Sequence, residues 1–197
     1  MADYRPVGTI VRVQIQRSSL KVDGDPRRYY TPEPILSVAG LDVSEGTIEG
    51  SVDGRPMVDV HSASHPDSRN RGNGNMLSVG FTGHYELMRG RFGSHLVDGI
   101  AGENILVEHS GKLTLADVER GLVVERPDGQ RIEFGTVSVA HPCVEFSRFC
   151  LNDLNAHPKQ VSETLKFLDG GTRGFYGIVT SPLPVRIEEG DLLLARA

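Results

Sequence analysis

Cys143 is the residue in this sequence best suited to chemistry. It follows His141 and Pro142 and precedes Val144-Glu145-Phe146-Ser147-Arg148. A thiol becomes a nucleophile, a metal ligand or a sulfur carrier when positive charge beside it favours the thiolate, and His141 and Arg148 are the local sources of that charge. Cys143 could equally be a small apolar core residue, which is the expectation for Cys150 between Phe149 and Leu151. The 2 cysteines are too few for an iron–sulfur cluster or an all-cysteine zinc site.

Other groups carry weaker signals. His61 and His65 have the spacing of two ligands on one helical face, but the run between them is polar, stops at Pro66 and has no third ligand nearby. A solvated or substrate-contacting loop is expected there instead. Gly72-Asn73-Gly74 follows Arg69-Asn70-Arg71 but lacks the Gly-Lys-Ser/Thr of a phosphate loop and the third glycine of the dinucleotide motif, so no NAD is expected. Thr82-Gly83-His84 opens a predicted helix, whose free backbone N–H groups can hold an anion. Gly102-Glu103-Asn104 is either a turn before a strand or a set of groups that hydrogen-bond a polar ring. Arg173-Gly174-Phe175-Tyr176 supplies a phenol and a guanidinium, the group suited to a bidentate grip on phosphate; a solvated strand start is the alternative.

Short elements must position these residues. Odd positions from Val7 to Ile15 are mostly apolar, the period-two pattern of a half-buried strand with Val7, Val11, Val13 and Ile15 inward. Residues 18–34 are polar and turn-rich, a loop or irregular hairpin around Asp23-Gly24-Asp25-Pro26. Strands are predicted at Ile35 to Val38, Thr47 to Ser51 and Met57 to Val60, followed by a long surface loop from His61 to Asn75. Met76 to Phe81 reads as a buried strand. Tyr85, Met88, Phe92 and Leu96 then share one face of a helix capped by Thr82 and ending by Asp98-Gly99. Ile105 to Glu108 is strand-like, and Leu122 to Arg126 faces Arg131 to Phe134 across a turn containing Asp128-Gly129. Thr136 to Ala140 alternates and runs into His141-Pro142-Cys143, which places the thiol at a strand end. A second helix is predicted from Pro158 to Leu168, then strands at Phe175 to Thr180 and Leu192 to Ala195.

The 197 residues suit one domain spanning the whole chain, and 38% apolar with 24% charged residues is an ordinary globular balance. With 23 glycines and 11 prolines among many short strands, a mainly β, barrel-like architecture with two or three short helices is expected. A net charge of −5 provides no basic field for nucleic acid. No apolar window is long enough to cross a bilayer and Met1 to Pro6 has no signal-peptide character, so no membrane partner is expected and a cytoplasmic location is.

Three segments occur in the order seen in a known family. They are Phe92 to Val107 (FGSHLVDGIAGENILV), Val137 to Phe149 (VSVAHPCVEFSRF) and Arg173 to Gly190 (RGFYGIVTSPLPVRIEEG), closed by Asp191. The chain thereby resembles the MOSC domain, named after the C-terminal part of molybdenum cofactor sulfurase, from about residue 45 to the C-terminus. Gly-Glu-Asn before an apolar strand, with Pro-Cys about forty residues later, is its most specific element. The resemblance implies a β-rich barrel in which Cys143 opens on a cavity for the pterin-based molybdenum cofactor (molybdopterin). Cys143 would ligate the molybdenum or carry transferable sulfur as a persulfide. Asn104 matches a cofactor-contacting asparagine, with Gly102 and Glu103 in the same motif. His141, Arg148, Arg173, Tyr176, Thr82 and His84 are the other candidate contacts, and Arg69 and Arg71 are further cations for a cofactor phosphate. Relatives transfer sulfur or reduce N-hydroxylated compounds, which implies a sulfur- or electron-donor protein as partner. Two further functions fit the residues: a non-enzymatic carrier of cofactor or sulfur, and a Cys/His hydrolase or transferase. In the last, Cys143 would pair with His141 on the same face of an extended strand.

Overall fold

The computed structural model describes residues 3–68 and 76–197. In chain order it comprises β1 (Tyr4–Gln16), β2 (Lys21–Val22), β3 (Tyr29–Tyr30), β4 (Ile35–Val38), β5 (Gly40–Ser44), β6 (Thr47–Val52), β7 (Arg55–Val58), β8 (Met76–Phe81) and α1 (Thr82–Phe92). There follow β9 (Ile105–Val107), α2 (Leu115–Val118), β10 (Leu122–Glu125), β11 (Arg131–Val139), α3 (Val144–Cys150), α4 (Pro158–Leu168), β12 (Phe175–Val179), β13 (Val185–Glu188) and β14 (Leu192–Arg196).

The strands β14, β10, β11, β12, β8, β9 and β1 are joined in that order, and pairing of β14 with β1 closes them into a barrel. Closure leaves the ring without an exposed strand edge. β4 pairs with the far end of β1, and β13, β5, β6 and β7 form a separate antiparallel sheet. The expected barrel is thus present, with four helices among the described residues rather than two or three, α2 and α3 being the additions. Among the described residues no helix is long and apolar enough to cross a membrane.

β1 departs from simple alternation. Ile10 is buried and Val11 is exposed, the reverse of the period-two expectation, while Val7 and Val13 point inward as predicted. The cause is two register shifts, between Pro6 and Gly8 against β14 and between Ile10 and Arg12 against β9. Each bulge adds a residue and flips the face presented beyond it. A single strand can therefore follow the curve of the barrel past three partners.

Two apolar cores result. Leu77, Val79, Phe81, Ile105, Val107, Phe175 and Val179 point into the barrel. Tyr85, Met88, Leu96, Leu106, Phe146, Cys150 and Leu168 form a second core on its outer surface, covered by the helices. α1 ends at Phe92 because Gly93 turns the chain with φ 119°, so Leu96 reaches this core from the following turn and not from the helix. Phe81, not Thr82, is the N-cap residue of α1.

Candidate functional site

Ser78 of β8 and Tyr176 of β12 are register partners. Their chain neighbours Leu77, Val79 and Phe175 fill the barrel, so alternation sends Ser78 and Tyr176 outward. They form part of the floor of a cavity of about 240 Å³ between the barrel wall, the β2–β3 hairpin and the start of α3. Cys143, His141, Gly102, Arg173 and Tyr176 all line it, together with Lys21, Arg28, Tyr30, His61 and Phe146.

Cys143 is not at a strand end. β11 stops at Val139, and Cys143 is the N-cap of α3 with φ −113° and ψ 164°. Its Sγ accepts the Phe146 N–H at 3.4 Å, and Ser147 Oγ donates to its carbonyl at 2.9 Å. Valine, two phenylalanines and a capping cysteine are weak helix signals in so short a segment. Packing supplies the difference: Phe146 sits 5.0 Å from the Tyr30 ring, and Cys150 is sealed in the second core. Burial pushes the Cys150 thiol up to about 12, with Arg173 opposing. Cys143 itself remains half-buried at the cavity. Beside it, burial works against the Glu145 carboxylate, yet its own backbone N–H, the Cys143 thiol, Lys21 and Arg28 hold it below the ordinary range.

Arg173 reaches the cavity from a turn after α4 in which Gly170, Gly171 and Gly174 have φ of 67°, 101° and 109°. These left-handed conformations favour glycine. A Cβ on Gly174 would also collide with the Val79 carbonyl oxygen, so the turn packs directly on β8. The guanidinium Nη2 donates to the Ala101 carbonyl, the group lies 5.4 Å from the Phe146 ring centre, and Nη1 is buried with no hydrogen-bond partner among the described residues. Glu103 stands behind this wall. Burial raises its carboxyl above the usual range while Arg173 pulls it down, and Tyr85 donates to Oε2 at 2.8 Å.

Asn104 spends its side chain inside the wall. Oδ1 accepts from Ser78 N at 3.1 Å and Ser78 Oγ at 2.9 Å, while Nδ2 donates to Gln14 O at 3.4 Å and Asp59 Oδ2 at 3.2 Å. Asp59 is fully buried; it also accepts from Gln16 N at 2.8 Å, and its Oδ1 lies 2.9 Å from both the His61 N and Nδ1 atoms. His65 points elsewhere, its Nδ1 accepting from Asp67 N at 3.1 Å, so the two histidines do not pair on a metal. Among the described residues no group of three or more His, Cys, Asp or Glu is placed to hold a metal ion.

The remaining expected residues are distributed unevenly. His141 is exposed at the cavity mouth, with Nδ1 2.9 Å from Asp169 Oδ1. Arg148 lies in the last turn of α3 and Glu103 and Asn104 in the wall, none of them among the described lining residues. Thr82 and His84 lie away from the cavity. Thr82 Oγ1 is bonded to the His109 backbone, and His84 Nε2 accepts from Leu113 N at 2.9 Å beside the Phe81 and Phe175 rings. Arg69, Arg71 and Gly72-Asn73-Gly74 lie outside the described residues. Lys21, Arg28 and Asp59 were not anticipated. The basic pair Arg27-Arg28 after Pro26, and the Asp59-Val60-His61 spacing, are the signals that could have found them.

No protein-family model and no curated protein matches this chain. Solved structures do. The YuaD protein from Bacillus subtilis aligns with a TM-score of 0.58 at 14% identity, over 100% of this chain and 99% of the other. A hypothetical protein aligns with a TM-score of 0.54 at 16% identity, over 98% and 70%. YiiM from Geobacillus stearothermophilus aligns over 98% and 76% at 18% identity, with a TM-score of 0.48. The first two establish a shared fold.

Proposed function

We propose that this chain is a MOSC-type protein whose outer cavity binds the pterin-based molybdenum cofactor, with Cys143 as the residue that ligates molybdenum or carries its sulfur. One observation carries the proposal: among the described residues, the half-buried thiol of Cys143 shares a cavity with three cations, Lys21, Arg28 and Arg173, against one carboxylate, Asp67, in a chain whose net charge is −5. Positive charge collected in one hollow of an acidic protein selects an anion.

The residues fit such a group. Arg173 Nη1 is a buried donor that lacks an acceptor among the described residues, and a phosphate oxygen would supply one. Lys21 and Arg28 flank the same space from the hairpin. Tyr176 offers a polar contact along the wall, and Tyr30 and Phe146 offer ring faces. Gly102, at φ 81°, leaves no space for a Cβ beside Leu20 and Gln16, so the backbone itself forms the wall. When bound, the cofactor supplies a redox-active metal, and a reductase role on N-hydroxylated compounds would draw its electrons from a partner protein.

The test is purification from a molybdenum-replete host, with metal analysis and fluorescence of the oxidised pterin. Molybdenum and pterin are expected to accompany the wild-type chain, and Cys143→Ser to lose the metal or the persulfide label. Protein that carries neither pterin nor molybdenum, and whose Cys143→Ser variant is indistinguishable from wild type, would overturn the proposal.

A second function is favoured by the His141–Asp169 pair. A histidine oriented by a carboxylate beside a thiol at one cavity is the arrangement of a Cys/His acyl transferase or hydrolase. Trapping of a thioester on Cys143 by activated esters, lost in His141→Gln, would favour it over cofactor binding.

A further inference from the structure

A second carboxylate–imidazole pair adjoins the same cavity, His61 lining it and Asp59 standing behind His61. Asp59 is 0% exposed, and both of its oxygens are fully engaged. Gln16 N and Asn104 Nδ2 donate to Oδ2 at 2.8 and 3.2 Å, and the His61 backbone N–H donates to Oδ1 at 2.9 Å. His61 Nδ1 is the fourth neighbour, at 2.9 Å. Three fixed donors already surround this carboxylate, so it serves as an acceptor and the imidazole must present N–H at Nδ1. The opposite nitrogen then carries a lone pair.

The backbone holds the pair in place. Asp59 N donates to Ile48 O at 2.8 Å, Val60 N to Gln16 O at 2.8 Å, and Ser62 N to Asp59 O at 3.0 Å. The His61 side chain is 45% exposed, unlike its buried partner, and it lines the cavity with Cys143, His141, Asp67, Lys21, Arg28 and Arg173. A histidine whose Nδ1–H is anchored on a buried carboxylate has its tautomer and orientation fixed, and the carboxylate stabilises the imidazolium when Nε2 gains a proton.

We propose that Asp59 and His61 form the proton-accepting pair of this cavity. Its ligand is then an anion with an acidic O–H or N–H: the negative group meets Arg173, Lys21 and Arg28, and the proton passes from the ligand's oxygen or nitrogen to His61 Nε2. The proton transfer is balanced within the pair, the ligand gaining one negative charge and the imidazole one positive charge. This inference rests on the cavity being an anion site, the basis of the proposed function, but not on the identity of the cofactor.

Nuclear magnetic resonance of the full chain labelled with ¹⁵N-histidine, with inorganic phosphate as probe, tests both halves. In the protein alone, at a pH where the ring is neutral, the His61 resonances, identified by their loss in His61→Gln, are expected to show a protonated Nδ1 and a bare Nε2. A ring protonated at Nε2, or averaging between tautomers as free histidine does, overturns the pair. Phosphate added near neutral pH is expected to convert His61 to imidazolium while shifting the Arg173 side-chain signals. His61→Gln should weaken phosphate by about tenfold, as loss of one charge-assisted hydrogen bond does, without abolishing the Arg173 shift. Phosphate that shifts Arg173 and leaves His61 unchanged overturns the proton-accepting role while the anion site stands. Phosphate that shifts neither overturns the anion site, and the ligand assignment of His61 with it. His61→Gln also removes a donor from the buried Asp59, so a modest fall in the unfolding midpoint is expected; a dispersed native spectrum with the retained Arg173 shift separates loss of binding from loss of fold.

Discussion

Asn104 and Ser78 are joined by three hydrogen bonds: Ser78 N and Oγ both donate to Asn104 Oδ1, and Asn104 N donates back to Ser78 Oγ at 2.9 Å. Since β8 and β9 run parallel at this point, the side-chain bonds brace two barrel strands just beneath the cavity floor. Asn104→Ala leaves Ser78 N and Asp59 Oδ2 each short of a buried partner. A loss of about 2–4 kcal/mol in stability is expected, read from urea unfolding. A variant within 1 kcal/mol of wild type, about the worth of one ordinary bond, would show that the brace is dispensable.

Acid should destabilise the protein in part through His84. Burial, assisted by Lys112 and His109, lowers this imidazole to about 4 from 6.5. The folded protein holds it less basic than the unfolded chain does, so the neutral ring is favoured by folding. Its contribution is complete above about pH 6.5 and is lost as pH falls towards 4, a change on the order of 3 kcal/mol. His84→Gln keeps an acceptor for Leu113 N and removes the titration. Its unfolding free energy should fall less steeply than wild type across that window; parallel curves would exclude His84 as the source.

The two thiols should differ sharply in reactivity. Iodoacetamide on the native protein is expected to label Cys143 and spare Cys150, which is 0% exposed and whose thiol is pushed up to about 12. Peptide mass spectrometry reads the outcome, with Cys150 labelled only after unfolding. Equal labelling of both under native conditions would mean that α3 opens readily.

Gly174→Ala should impair both fold and site. At φ 109° and against the Val79 carbonyl, the added methyl group forces the turn away from β8. A cost of about 1–3 kcal/mol is expected. Arg173 moves with the turn, so anion binding should weaken more than in Gly170→Ala, where nothing lies within 4 Å of the added carbon.

Much of this architecture is legible in the chain, and the exceptions have physical causes. Val161, Leu165 and Leu168 at helical spacing, with Pro158 in the first turn, mark α4 at its observed limits, and Asp128-Gly129 marks the β10–β11 hairpin. Local periodicity fails where partners decide the outcome. The faces of β1 follow bulges set by β14 and β9. α3 follows from the burial of Phe146 and Cys150, not from its own propensities. In the site, Cys143, His141, Arg173, Tyr176 and Gly102 were recognisable by residue type and do converge. Lys21 and Arg28 were hidden in a stretch readable only as a polar loop, because the hairpin that aims them is held by tertiary contact of Tyr30 with α3. Thr82 and His84 show the opposite failure, since a helix start looks the same in sequence wherever it points.

The outward placement of Ser78 and Tyr176, each interleaved with neighbours that fill the barrel, divides the labour along single strands. Every second side chain maintains the scaffold, and of the two between, Tyr176 is left to the occupant while Ser78 also braces Asn104. A lineage can thus retool what the hollow accepts by drifting at a position such as Tyr176, while the enclosed half of the same strands goes on specifying the ring.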